Sequence, residues 1–157
     1  MSLEIIPLYC PKGNHYWAWN FEDKKYSIVQ ISDFEEKKKT EIICPAHFDF
    51  GEHEQDGYIA RNFKVANPKG IHARPSAEIL MFAVKYDLEF AIRKEVQKDH
   101  ILLSFNGQTA KANSFMGIMG LGIEKSDFEV LFPKDIDRGL LEDICLGVYH
   151  AATTELN

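Results

Sequence analysis

The chain has 157 residues, the size of one ordinary domain or two small ones, and its 45% hydrophobic and 27% charged residues are the balance of a globular protein able to bury a core. A formal charge of -6 argues against a nucleic-acid partner, which needs a basic face to displace counterions from phosphates. No apolar run is long enough to span a bilayer, and MSLEIIPLYC lacks the basic start and long apolar stretch of a secretory signal, so a cytoplasmic protein without membrane insertion is expected.

In chain order, Cys10-Pro11 comes first and reads as the start of a tight turn. His15 to Phe21 (HYWAWNF) and Lys25 to Ile31 (KYSIVQI) are aromatic and β-branched, which suits the strands of a small sheet. A mixed charge run follows (Asp33 to Glu41), then a second turn at Cys44-Pro45. Asp49 to Gly57 (DFGEHEQDG) is acidic, polar and Gly-containing, and reads as a linker or long loop. A boundary near residue 60 is therefore expected, with a small segment 1–60 and a regular domain 61–157. About 60 residues make a marginal core, for which a metal staple or docking onto a neighbour would compensate.

After the linker the periodicity becomes clear. Asn62 to Ala66 alternates Phe63 and Val65 inward, as a strand does. Pro75 falls where a helix opens, since its missing N–H costs nothing in the first turn, and Ile79, Leu80, Phe82, Ala83 and Tyr86 line one face of that helix. Leu88 to Arg93, Ile101 to Phe105 and Phe128 to Phe132 each alternate as strands. Ser114 to Leu121 predicts a capped short helix, and Ile136 to Thr154 carries Leu140, Leu141, Ile144 and Val148 at helical spacing. The expected order is β-α-β-β-α-β-α, an α+β arrangement with a mostly antiparallel sheet and helices on one face. Cys145 falls in the last helical pattern and reads as a small core residue. Three sparse cysteines do not make a disulfide framework.

The chemistry concentrates in Asn67 to Glu78 (NPKGIHARPSAE). Gly70 permits a tight turn, and His72 then falls just before the helix that Ala73, Arg74 and Pro75 open. A helix start offers N–H groups and partial positive charge to a phosphate, and Arg74 adds a planar cation that can grip phosphate oxygens. The same partial charge disfavours imidazolium, which keeps His72 neutral and able to attack phosphorus. The plainer reading makes His72 a helix cap or a surface residue.

GIHARPSAE resembles the active-site segment of HPr, the histidine-containing phosphocarrier of the bacterial phosphoenolpyruvate:sugar phosphotransferase system. Asn113 to Gly122 (NSFMGIMGLG) resembles that family's second signature. The two blocks stand in the right order, and the resemblance covers the chain from about residue 61 onward. It implies an HPr-like open-faced sandwich. His72 would be the phosphoryl acceptor, Arg74 the arginine beside it and Pro75 the helix-opening proline. Ser114 matches the serine that a dedicated kinase modifies in some members, with N-capping as its plainer role. Phe115, Met116 and Met119 match the apolar patch on which a donor enzyme docks. The implied partners are a phosphotransferase donor, an acceptor protein and, for Ser114, a serine kinase; the carrier domain needs no cofactor. The expected function is a phosphoryl carrier in a relay serving sugar transport, with no small-molecule pocket of its own. The alternative is a regulatory interaction module whose phosphorylation at His72 or Ser114 controls partner binding. Met81 and Val84 depart from the lysines that family members place on the first helix, and Glu78 is an unexpected carboxylate near the site.

The first sixty residues lie outside that resemblance. Their Cys-Pro turns are similar to the knuckles of zinc ribbons, in which two knuckles each give two ligands to one tetrahedral zinc. Cys44 and His47 have suitable spacing. In the first knuckle Gly13 occupies the second ligand's place, leaving His15, two residues on, or His53 to substitute. Cys10, His15, Cys44 and His47 are thus candidate ligands for a structural zinc. A metal-free ribbon held by aromatic packing is equally open.

Overall fold

The structure, a computed structural model, describes residues 7–20, 25–29, 40–66, 69–124 and 126–153, and the chain divides into two compact units, Met1–Asp49 and Phe50–Asn157.

In the first unit β1 (Leu8–Cys10), β2 (His15–Asn20) and β3 (Lys25–Val29) form an antiparallel sheet in that order. The two expected strands are there as β2 and β3; Phe21, Gln30, Ile31 and residues 33–39 of the charge run lie outside the described residues. Trp17 and Trp19, two apart on β2, share a face, with ring centroids 5.1 Å apart. Tyr26 of β3 meets both edge-on, at 6.1 and 6.3 Å. The segment around residues 40–42 runs along the free edge of β1. Tyr9 N–H donates to Thr40 O and Ile42 N–H to Tyr9 O, each at 2.9 Å. The Trp17 indole N–H donates to Ile42 O at 2.8 Å. This pairing carries the second Cys-Pro turn to the first.

The second unit contains β4 (His53–Gln55), β5 (Tyr58–Lys64), α1 (Ala73–Arg93), β6 (Leu102–Phe105), β7 (Gln108–Lys111), α2 (Phe115–Gly120), β8 (Asp127–Pro133) and α3 (Arg138–Thr153). Its five strands form one antiparallel sheet in the order β4-β5-β8-β6-β7. From β5 onward the order is the expected β-α-β-β-α-β-α, the arrangement of an HPr-like fold. α1 packs on α2 and α3, α3 on β5, and α2 on β7. The core holds Phe63, Leu103, Phe128, Val130, Phe132, Ile79, Ile118, Leu141 and Val148, all buried. Phe63 stacks on Phe128 at 5.6 Å across the β5–β8 pair that sets them opposite each other.

Three expectations are corrected. Leu88–Arg93 is not a strand, because α1 continues through Arg93. It stops at Lys94, which adopts a left-handed conformation (φ 57°) and donates its N–H to Ala91 O, while Glu95 N–H donates to Phe90 O at 2.9 Å. The strand that fills that place in the order is β7, which sequence reading passed over. The expected linker contains β4. Two-residue turns close both hairpins: Asp56-Gly57 (φ 51° and 83°) joins β4 to β5, and Asn106-Gly107 (φ 52° and 76°) joins β6 to β7.

The boundary falls between Asp49 and Phe50 rather than near residue 60, and contacts of Phe50 and Glu52 explain why. Asn62 N–H donates to Phe50 O at 2.6 Å, and the Phe50 ring lies 5.2 Å from Phe63 and 5.8 Å from Tyr149. Buried Arg61 on β5 donates from Nε to Glu52 at 3.0 Å and grips Glu142 of α3 with both Nη atoms, at 3.1 and 2.6 Å. Arg138 holds the same Glu52 carboxylate with two bonds, at 2.6 and 2.7 Å. These hydrogen bonds tie the segment before β4 to β5 and α3. Among the described residues, no helix is long and apolar enough to cross a membrane.

Candidate functional site

The loop after β5 is brought to the start of α1 by a close main-chain approach. Ile71 N–H donates to Ile123 O at 2.9 Å. Gly70 adopts φ 71°, and a Cβ there would stand 2.3 Å from Ile123 O, so no side chain fits. The loop therefore presents His72 as the N-cap of α1, in extended backbone (φ -92°, ψ -162°). His72 O accepts from Ser76 N–H at 3.0 Å, while the His72 side chain makes no capping bond. The imidazole is half-buried. His72 thus occupies the capping position that the plainer reading gave it, with the capping done by its main chain.

Arg74 is exposed in the first turn and Pro75 is buried there, and that turn carries no carboxylate. An anion arriving at His72 meets the positive end of a long helix and a guanidinium within the same turn. Glu78, one turn further, accepts from Nδ1–H of buried His150 on α3 at 3.3 Å. Sequence reading flagged Glu78 but missed His150, and no local spacing connects residues so far apart. It also missed Ser76, fully buried, whose hydroxyl donates to Met119 Sδ at 3.3 Å.

Ser114 is the N-cap of α2, its Oγ accepting from Gly117 N–H at 3.0 Å. Of the apolar residues beside it, Ile118 is buried, whereas Phe115 (37%), Met116 (76%) and Met119 (37%) are exposed. Met81, Val84, Leu88 and Ile92 of α1 are also exposed, and Met81 and Val84 are the two that depart from the lysines of the resembling family. Asn113, just before the cap, donates to Asp87 of α1 at 2.7 Å, which anchors the start of α2 to α1.

In the first unit, one ligand atom from each of Cys10, His15, Cys44 and His47 lies within 4.8 Å of the others. Cys10 and His15 are directly paired across β1 and β2, on either side of the turn. Gly13 N–H donates to Cys10 Sγ at 3.3 Å. Cys44 O accepts from His47 N–H at 3.0 Å, and His47 Nδ1 stands 3.0 Å from Cys44 Sγ and 3.9 Å from Cys10 Sγ. Burial raises the Cys10 thiol, but backbone hydrogen bonds from Cys44, Gly13 and Lys12 outweigh it and bring it below the ordinary value; Cys44 is raised by burial and then by the charge on Cys10. His53 lies in the second unit, where its Nδ1 bonds to Gly51 O. Cys145 is a core residue whose thiol burial pushes up to about 12.

Residues 59–128 match the family model described as PTS HPr component phosphorylation site. Two solved structures are similar. One is HPr-C-His from Thermoanaerobacter tengcongensis, 21% identical, covering 62% of this chain and 98% of that one, with a TM-score of 0.47. The other is a histidine-containing phosphocarrier protein from a structure concerned with the divergence of Mycoplasma from Gram-positive bacteria, 17% identical, covering 59% and 96%, with a TM-score of 0.44. The segment that matches this family model, residues 59–128, contains His72 at the start of α1 and Ser114 at the start of α2.

Proposed function

We propose that His72 accepts a phosphoryl group from a phosphoenolpyruvate-dependent donor protein and passes it to an acceptor protein. The observation that carries this reading is the position of His72: it caps α1 through its main chain alone, with Arg74 and no carboxylate in the turn that follows. A neutral imidazole nitrogen forms the new N–P bond as the bond from phosphorus to the donor's leaving group breaks, and that group departs with the electron pair. The three phosphoryl oxygens then face the helix start and the Arg74 guanidinium. Onward transfer reverses the step with the acceptor as nucleophile.

Phe115, Met116 and Met119 form the docking surface for the donor, beside the first turn of α1. The reading is tested by incubating the chain with a purified phosphotransferase donor and phosphoenolpyruvate, then adding an acceptor protein of the same system. Acid-labile phosphate that forms on this chain and leaves it when acceptor is added supports a carrier. Phosphate that forms and stays, whichever acceptor is offered, supports the regulatory alternative.

A regulatory use of Ser114 has its own supporting observation: Ser114 caps the helix that presents the docking residues. A phosphate placed there by a serine kinase alters the charge of that surface without any change of fold.

A further inference from the structure

We propose that Cys10, His15, Cys44 and His47 hold one structural zinc ion in the first unit. The proposal does not depend on the phosphocarrier reading.

The ligand set is two thiols and two imidazoles, a donor combination that zinc takes in closed tetrahedral sites. With Zn–S near 2.3 Å and Zn–N near 2.0 Å, the edges of such a tetrahedron are roughly 3.3–3.8 Å. The four ligand atoms already lie within 4.8 Å of one another, and the 3.0 and 3.9 Å separations from His47 Nδ1 to the two sulfurs bracket that range. Binding releases the two thiol protons, and the resulting thiolates balance the dication.

The register explains why His15 serves where a knuckle would place its ligand two residues earlier. Cys10 and His15 are directly opposed across the β1–β2 hairpin, so their side chains meet at its mouth. Gly13 sits inside this space. A Cβ there would stand 2.3 Å from His15 Cε1 and 2.7 Å from His47 Cε1, so glycine is what lets both imidazoles reach the cluster. His15 Nε2 is buried and has no hydrogen-bond partner among the described residues, a state that coordination through that nitrogen would relieve. Gly13 N–H already points to Cys10 Sγ, the kind of outer hydrogen bond that stabilises a metal-bound thiolate. A unit of three short strands gains from such a staple.

The test uses the full chain, expressed with added zinc and handled anaerobically. Elemental analysis should find about one zinc per chain. Replacement by cobalt should give the visible bands of a tetrahedral ion together with sulfur-to-metal charge transfer. Trp17 and Trp19 are the only two tryptophans and both lie in this unit, so their emission reports it alone. Chelation should shift that emission to the red. His15→Ala should lose the metal and show the same shift. Wild-type protein with less than about 0.2 zinc per chain and no cobalt spectrum would overturn the proposal. So would a Cys10–Cys44 disulfide found in protein prepared anaerobically with added zinc.

Discussion

The Ser76 hydroxyl, buried in the first turn of α1, donates to Met119 Sδ on α2 at 3.3 Å, so the helix start beside His72 and the exposed face of α2 meet directly. Sulfur is a weak acceptor, and the contact aligns more than it stabilises. Ser76→Ala should cost no more than about 0.5 kcal/mol in chemical denaturation, the low end of the range for one ordinary hydrogen bond. A cost several times larger would mean that the hydroxyl has a stronger role than this contact.

Met116 is the most exposed large hydrophobic residue of α2, at 76%, and contributes little to the fold. Met116→Lys should therefore leave stability within about 0.5 kcal/mol of the parent while slowing donor-dependent labelling of His72 by roughly tenfold or more. Unchanged labelling kinetics would remove α2 from the docking surface.

Ser114 can be separated into its two roles by substitution. Ser114→Ala deletes the bond to Gly117 N–H and should cost about 1 kcal/mol, with labelling little affected. Ser114→Asp keeps a good cap and adds a charge. Stability near that of the parent with slower labelling is the expected pattern for a site whose charge governs docking, and equal labelling would leave Ser114 as a cap only.

Much of this architecture is legible in the residues. Phe63, Val130 and Phe132 mark their strands by alternation and are buried, and Ser114 marks its helix by being a preferred cap. The approach of Cys10 to His15 and of Cys44 to His47 follows from two Cys-Pro turns. Leu88, Phe90 and Ile92 misled because they alternate, while Leu88 and Ile92 also sit four apart, as on a helix. The usual glycine stop is missing: α1 ends in a left-handed Lys94, a conformation that side chains adopt at a cost and that no spacing reveals. Conversely, Asp56-Gly57 and Asn106-Gly107 are strong hairpin signals that the acidic and polar surroundings of β4 and β7 obscured. The contacts Ser76–Met119, Glu78–His150 and Arg61–Glu142 join residues distant in sequence, and only the tertiary fold brings them together.

Glu52 sets an acid limit on the second unit. Its carboxyl is lowered from 4.5 to about 2, first by the Arg138 hydrogen bonds, which outweigh the cost of burial, and then by Arg61. A carboxylate whose folded value is depressed stabilises the fold above its unfolded value, and that contribution is lost as pH falls. Thermal stability should therefore decline between about pH 4.5 and pH 2, and Glu52→Gln should flatten part of that decline. Because Glu52 is partly exposed, salt should reduce the effect. Identical acid profiles for the two proteins would contradict this assignment.

The most direct measurement is the site of labelling. Intact chain and His72→Ala are incubated with the same donor and phosphoenolpyruvate, beside a known carrier, and scored for acid-labile phosphate by mass spectrometry, with circular dichroism to verify that the variant is folded. The account predicts one acid-labile phosphate on the intact chain, located on His72, and none on His72→Ala. Equal phosphate on both proteins, or none on the intact chain while the known carrier is labelled, would contradict it.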